Sequence, residues 1–220
     1  MAKPTVNESR LIIGTQYFIA SHNLCEGMKQ SRGKNNLHLL VTLRSFIEYS
    51  RRGIWFMAWA TEKKVHDAKR LTFNRSGSPN LVTMDEMINE ALGLGRRSGL
   101  TAKVVGMNES TVNLLHALTH GNPISVRMLQ FGLDKIFQID FFLARVEMEC
   151  DMFAVILCRR ALRHDFATIW KDLTPIRDRP VDMRVALNHV APLARPALDK
   201  MSEKFRQSEI SPVMPISPPA

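Results

Sequence analysis

Residues Leu37–Ala60 read LHLLVTLRSFIEYSRRGIWFMAWA, and the fold turns on this stretch. Its apolar residues cover much of a helical circumference. A helix of that kind must be enclosed by other elements. The stretch Phe141–Cys158, FFLARVEMECDMFAVILC, is the most apolar in the chain. Arg145, Glu147, Glu149 and Asp151 interrupt it. Charges there are costly in a bilayer, so the segment is not a simple membrane span. The two stretches are expected to form a long hydrophobic central pair. No strand–helix–strand alternation and no repeat of roughly 20–50 residues is present. The expected class is therefore an all-α bundle of about five to seven helices.

The rest of the chain is punctuated accordingly. A first helix is expected from about Glu8, with Asn7 or Ser9 as its cap. SRGKNN is a polar loop. TEKKVHDAKRL reads as a more solvated continuation of the Leu37–Ala60 helix. NRSGSPNL is a clear break. Thr83 with Glu86 three residues on is a capping-box pattern, and Gly93 or Gly95 would end that helix. A short helix, capped near Asn108 or Ser110, ends at Gly121 and Pro123. Ile124 to Phe166 reads as one or two long helices, LTPIRDRP as another break, and VDMRVALNHVAPLARPALDKMSEKF as a helical segment interrupted by proline. The expected organisation is a single α-helical domain over 1–206 and a Pro-rich disordered tail over 207–220.

The formal charge is +9, and 19 of the 30 basic residues are arginine. Between Arg159 and Arg206 there are 11 Lys and Arg against 6 Asp and Glu. Arginine grips phosphate through two parallel hydrogen bonds, so this bias suits a nucleic-acid or acidic partner; a charge kept for solubility is the other reading. Cys25, Cys150 and Cys158 lack CxxC spacing, and MAKPTVNESR has no apolar leader core. Free thiols in a reducing, cytoplasmic setting are expected.

Three groups of residues could carry chemistry. Arg44, Glu48, Arg51 or Arg52, and Trp55 share one stripe of the Leu37–Ala60 helix. They form either an ion pair that fixes helix register, or a polar pocket in which Arg44 or Arg51 holds an anion and Glu48 orients a neighbour. In NLLHALTHGN, Asn113, His116 and His120 share another helical face. Either His120 favours its helix end as a cation before Gly121, or it works as a general acid or base. H-E-x-x-H spacing is absent, so no metal is expected, although a metal or small ligand held with Glu48 is a rival reading. Finally, RRALRH places Arg159, Arg160, Arg163 and His164 in a dense basic cluster. It reads either as a solvated helix end or as a nucleic-acid contact together with Arg51. GLGRRSGLTAK lacks the G-x-x-x-x-G-K-[ST] pattern of a phosphate loop, and no cofactor is expected.

LRSFIEYSRRGIWFMAWATEKKV followed by LLHALTHGN resembles a family of small bacterial helical proteins. Arg44, Glu48, Arg52, Gly53, Trp55, His116, His120 and Gly121 carry the likeness, within Leu37–Met128. More distantly this family is similar to the HEPN superfamily of toxin–antitoxin, abortive-infection and phage-defence proteins. That resemblance implies a HEPN-like homodimeric bundle acting on RNA as a metal-independent endoribonuclease, with an antitoxin or defence-system protein as partner. The ribose 2′-OH would attack the adjacent phosphate, with a histidine moving the proton and an arginine stabilising phosphoryl charge. It assigns catalysis to His120, Arg44 and Arg52, oriented by His116 and Glu48. The superfamily also places Arg four to six residues before His, as in Arg32–His38, Arg159–His164 and Arg184–His189. His120 has no such arginine, so its partner would come from Arg44 or Arg52. Many relatives are inactive, which leaves a non-catalytic module binding a protein or nucleic acid as the alternative.

Overall fold

The computed structural model describes residues 5–33, 36–69, 139–173 and 179–209, with 117, 119, 123, 175 and 176 between them. Among the described residues there are six helices and no strand. They are α1 (Val6–Ser31), α2 (Asn36–Ala58), α3 (Glu62–Lys69), α4 (Ile139–Ala161), α5 (Phe166–Leu173) and α6 (Pro180–Glu209). The protein is an all-α bundle. The elements expected between Thr83 and Gly121 lie outside the described residues except at Ala117 and Thr119, both helical, and Asn113, His116 and His120 lie outside them too.

α1 starts two residues before its expected first turn. Its cap is Thr5, not Asn7 or Ser9: the Glu8 amide donates to Thr5 Oγ1 at 3.2 Å, and the Thr5 amide donates to Glu8 Oε2 at 3.0 Å. This reciprocal box satisfies two amides that the first turn leaves without helical partners. α2 also stops earlier than expected. The Trp59 and Ala60 amides both donate to the Trp55 carbonyl, at 2.8 and 3.1 Å, and this closes the helix. Thr61 then opens α3, whose Val65 amide donates to the Thr61 carbonyl at 3.0 Å, so Glu62–Lys69 is a separate helix and not a continuation.

α4 is the most enclosed rod. Met152 through Cys158 is an unbroken buried run, touched from different sides by α1, α2, α5 and α6. α1 lies antiparallel to it: Arg32 meets Asp140 at one end, Phe18 meets Phe153 in the middle, and Arg10 approaches Arg160 at the other. Two glycines let the rods close up. A Cβ on Gly53 would collide with the Phe153 ring and come within 2.7 Å of Tyr17 Cβ; one on Gly14 would run into the Met57 side chain.

α4 ends in a Schellman turn. The Arg163 amide donates to the Arg160 carbonyl at 2.9 Å and the His164 amide to the Arg159 carbonyl at 3.0 Å, with Arg163 at φ 66°. That left-handed position usually holds glycine. Asp165 follows at once as the cap of α5, accepting from the Thr168 amide at 3.0 Å. Two helices are thus joined by four residues, Leu162, Arg163, His164 and Asp165.

α6 does not break at its prolines. It runs for 30 residues through Pro192 and Pro196. Both prolines are exposed, and so is Asn188, whose carbonyl loses its helical donor at Pro192; water can satisfy it. The opposite face, with Met183, Val190 and Ala194, is buried in the core and holds the helix straight on. α6 continues through 207–209, where the tail was expected to begin, and 210–220 lie outside the described residues. No helix among the described residues is long and apolar enough to cross a membrane.

Candidate functional site

The stripe expected on α2 is divided between neighbours. Arg44 and Glu48 pair with each other at 2.9 Å, half-buried, one turn apart. Arg51 turns inward to α4, where its guanidinium meets Glu149 at 2.9 Å with side-chain exposures of only 11% and 9%. Arg145 reaches the same carboxylate at 3.4 Å. Arg52 lies near Tyr17, whose phenol is pushed up by burial and held back by this cation. Trp55 is buried under the Lys64 ammonium, 5.1 Å from the ring centroid. The structure therefore ties Arg51 into the bundle interior, and gives the α2 charges partners on α2 and α4.

The basic cluster at the end of α4 is divided too. Arg159 bonds Asp172 of α5 at 2.5 Å and fixes the α4–α5 turn. His164 is exposed, and its carbonyl accepts from Arg160 at 3.0 Å. Arg160 and Arg163 face the other way, into a cleft of about 550 Å³ between the start of α1, the end of α4 and the last third of α6. Sequence reasoning missed the other cations there: Arg10 from α1, and Lys200 with Lys204 from α6. Lys200 and Lys204 are spaced i, i+4 and so share a helical face, but nothing local links that face to Arg10.

The cleft holds five cations and one carboxylate, Glu8, over a floor of Leu11, Met57, Ala161, Ala197 and Met201. Lys204 bridges to Glu8 at 2.6 Å and ties α6 to α1. Lys204 and the Thr5 amide hold the Glu8 carboxyl below the usual glutamate range. The remaining four cations have no carboxylate partner among the described residues. Arg10 makes only neutral contacts, donating to the Ala60 carbonyl at 2.7 Å and to Asn7 Oδ1 at 3.4 Å, and its Nε is buried without an acceptor. Burial and the facing Arg10 push the Arg160 guanidinium below its ordinary value, partly offset by Asp165.

Seven arginines elsewhere behave differently. Arg32, Arg44, Arg51, Arg145, Arg159, Arg179 and Arg184 each have a carboxylate within 4.0 Å. Like charges gathered without counter-charges repel, and an anion that enters relieves that repulsion. A cleft of this charge suits an anion. Among the described residues no histidine lines it. Among the described residues, no three His, Cys, Asp or Glu side chains are grouped so as to hold a metal. Cys25, Cys150 and Cys158 are free and buried, and burial pushes the Cys158 thiol up.

A comparison with protein-family models, curated proteins and solved structures finds no match for this chain.

Proposed function

We propose that the protein binds RNA, and that the cleft between α1, α4 and α6 receives its phosphate. One observation carries this reading: Arg10, Arg160 and Arg163 converge without a carboxylate partner, whereas seven arginines outside the cleft each have one. Guanidinium groups in that state suit phosphate oxygens, which accept two parallel N–H bonds from each. Phosphate contacts of this kind position an RNA without reading its sequence.

The finer reading is a HEPN-like, metal-independent endoribonuclease of a toxin–antitoxin or phage-defence system. The cleft supplies charge stabilisation but no acid or base, so cleavage needs an imidazole from elsewhere. His164, exposed and adjacent to Arg163, is one candidate; the pair of His120 with Arg44 or Arg52, oriented by His116 and Glu48, is the other. With no histidine among the described residues that line the cleft, binding without cleavage is the simpler chemistry.

Fluorescence anisotropy with labelled single-stranded RNA tests the binding. Arg160→Ala is expected to weaken it at least tenfold, and an unchanged affinity removes the reading. The same RNA incubated in EDTA and run on a denaturing gel tests cleavage. Fragments lost in His164→Ala assign the reaction to the end of α4; fragments lost in His120→Ala assign it to the second pair. Intact RNA in every reaction leaves a binding module.

A further inference from the structure

We infer that the cleft seats a single nucleotide bearing a terminal phosphate, the phosphomonoester end of an RNA strand or a free nucleotide, and is not a track for internal phosphodiesters. The inference rests on the reading of the cleft as an RNA-phosphate site and specifies which part of an RNA enters it.

Shape is the first ground. About 550 Å³ lies within the usual range of small-ligand pockets, roughly 300–1,000 Å³, and holds one nucleotide rather than a strand. Its apolar floor suits the face of a base or ribose, while the cations stand at the edge where phosphate would lie. A backbone track would instead need unpaired cations extending along the surface. Here Arg159, the neighbour of Arg160 on α4, is paired with Asp172.

Charge is the second. A phosphodiester carries one negative charge, whereas a phosphomonoester carries about 1.5 to 2 at neutral pH and offers three terminal oxygens. Three arginines lining one cleft match the second better than the first. Glu8 adds direction. Its carboxylate is locked to Lys204, so the α1–α6 side of the cleft offers a continuing phosphate chain no net positive charge.

The backbone is the third. Arg163 stands at φ 66°, where glycine is the easy choice. An arginine in that conformation carries a conformational cost, and this one lines the cleft.

The test uses the full chain and 12-nucleotide RNAs of one sequence, ending in 5′-phosphate, in 3′-phosphate or in hydroxyls at both ends, with adenosine monophosphate as competitor. One phosphorylated RNA is expected to bind at least tenfold more tightly than the hydroxyl-ended RNA, and the monophosphate to displace it. Arg163→Gly, which suits the positive φ and keeps the turn, should reduce that preference to near unity; Lys200→Ala should weaken it; Lys171→Ala, on the exposed face of α5, should leave it alone. Equal affinity for all three RNAs overturns the terminal seat while RNA binding stands. Binding of the monophosphate with none of the RNAs supports the seat with a free nucleotide as its source and overturns the RNA reading. No binding of any of the four overturns both.

Discussion

Arg163 is the residue at which stability and function pull apart. A non-glycine side chain in the left-handed region costs about 1 kcal/mol relative to glycine. Arg163→Gly should therefore raise unfolding free energy by ~0.5–1 kcal/mol in urea titration while weakening RNA binding. A variant that loses both stability and affinity would make Arg163 a packing residue only. Glu149 presents the opposite case. It is buried between Arg51 and Arg145, and its removal leaves a buried guanidinium without a counter-charge. Glu149→Ala should cost about 3–5 kcal/mol, with no change in RNA affinity in the fraction that remains folded. Glu8 adds a pH signature. Because its folded pKa is depressed, the α1–α6 bridge contributes fully above the unfolded glutamate value of about 4.3 and is lost as pH falls through the folded value. Unfolding midpoints measured from about pH 6 to pH 3 should fall more steeply in the native protein than in Glu8→Gln. At this scale the sequence was legible in part. Arg160 and Arg163 stood out in a dense basic run, and Arg44–Glu48 pairs as its spacing suggested. Arg51 was read as a candidate for nucleic acid because its partner, Glu149, lies 98 positions away.

Helices α1 and α6 show how element boundaries arise. Thr5-x-x-Glu8 has the same capping-box spacing as Thr83-x-x-Glu86, and it starts α1 earlier than the apolar pattern does. Thr5→Ala should cost about 0.5–2 kcal/mol by urea unfolding, and no less than Asn7→Ala. Proline was expected to interrupt the helix after Val181, yet α6 continues. Local propensity counts against it, since a proline in a helix interior is about 3 kcal/mol worse than alanine. Burial of Met183, Val190 and Ala194 on the opposite face offsets that cost. Pro192→Ala should raise the unfolding free energy by ~1–3 kcal/mol and increase helical circular dichroism little, because the helix is already formed. The break after α2 was illegible for a related reason: TEKKVHDAKRL has helical propensity throughout, and the turn at Trp59–Thr61 comes from amides closing on Trp55.

The whole molecule carries a formal charge of +9, and its distribution matters more than its size. Seven described arginines each meet a carboxylate, whereas four cations of the cleft between α1, α4 and α6 have none among the described residues. Binding of single-stranded RNA should accordingly show a shallow salt dependence: a slope of log K against log salt of about −1.5 to −3, as for two to four phosphate charges. A slope near −6 would mean a long phosphate track in place of a seat. By itself the sequence determined that the chain is an all-α bundle, because helical periodicity and the lack of strand patterning are local properties read within a few turns. Only the tertiary structure decided which charges are spent in pairs and which converge. Arg10, Arg160 and Lys200 come together because α1 runs antiparallel to α4 and α6, and a juxtaposition made by packing across 190 positions leaves no mark in the spacing of residues along the chain.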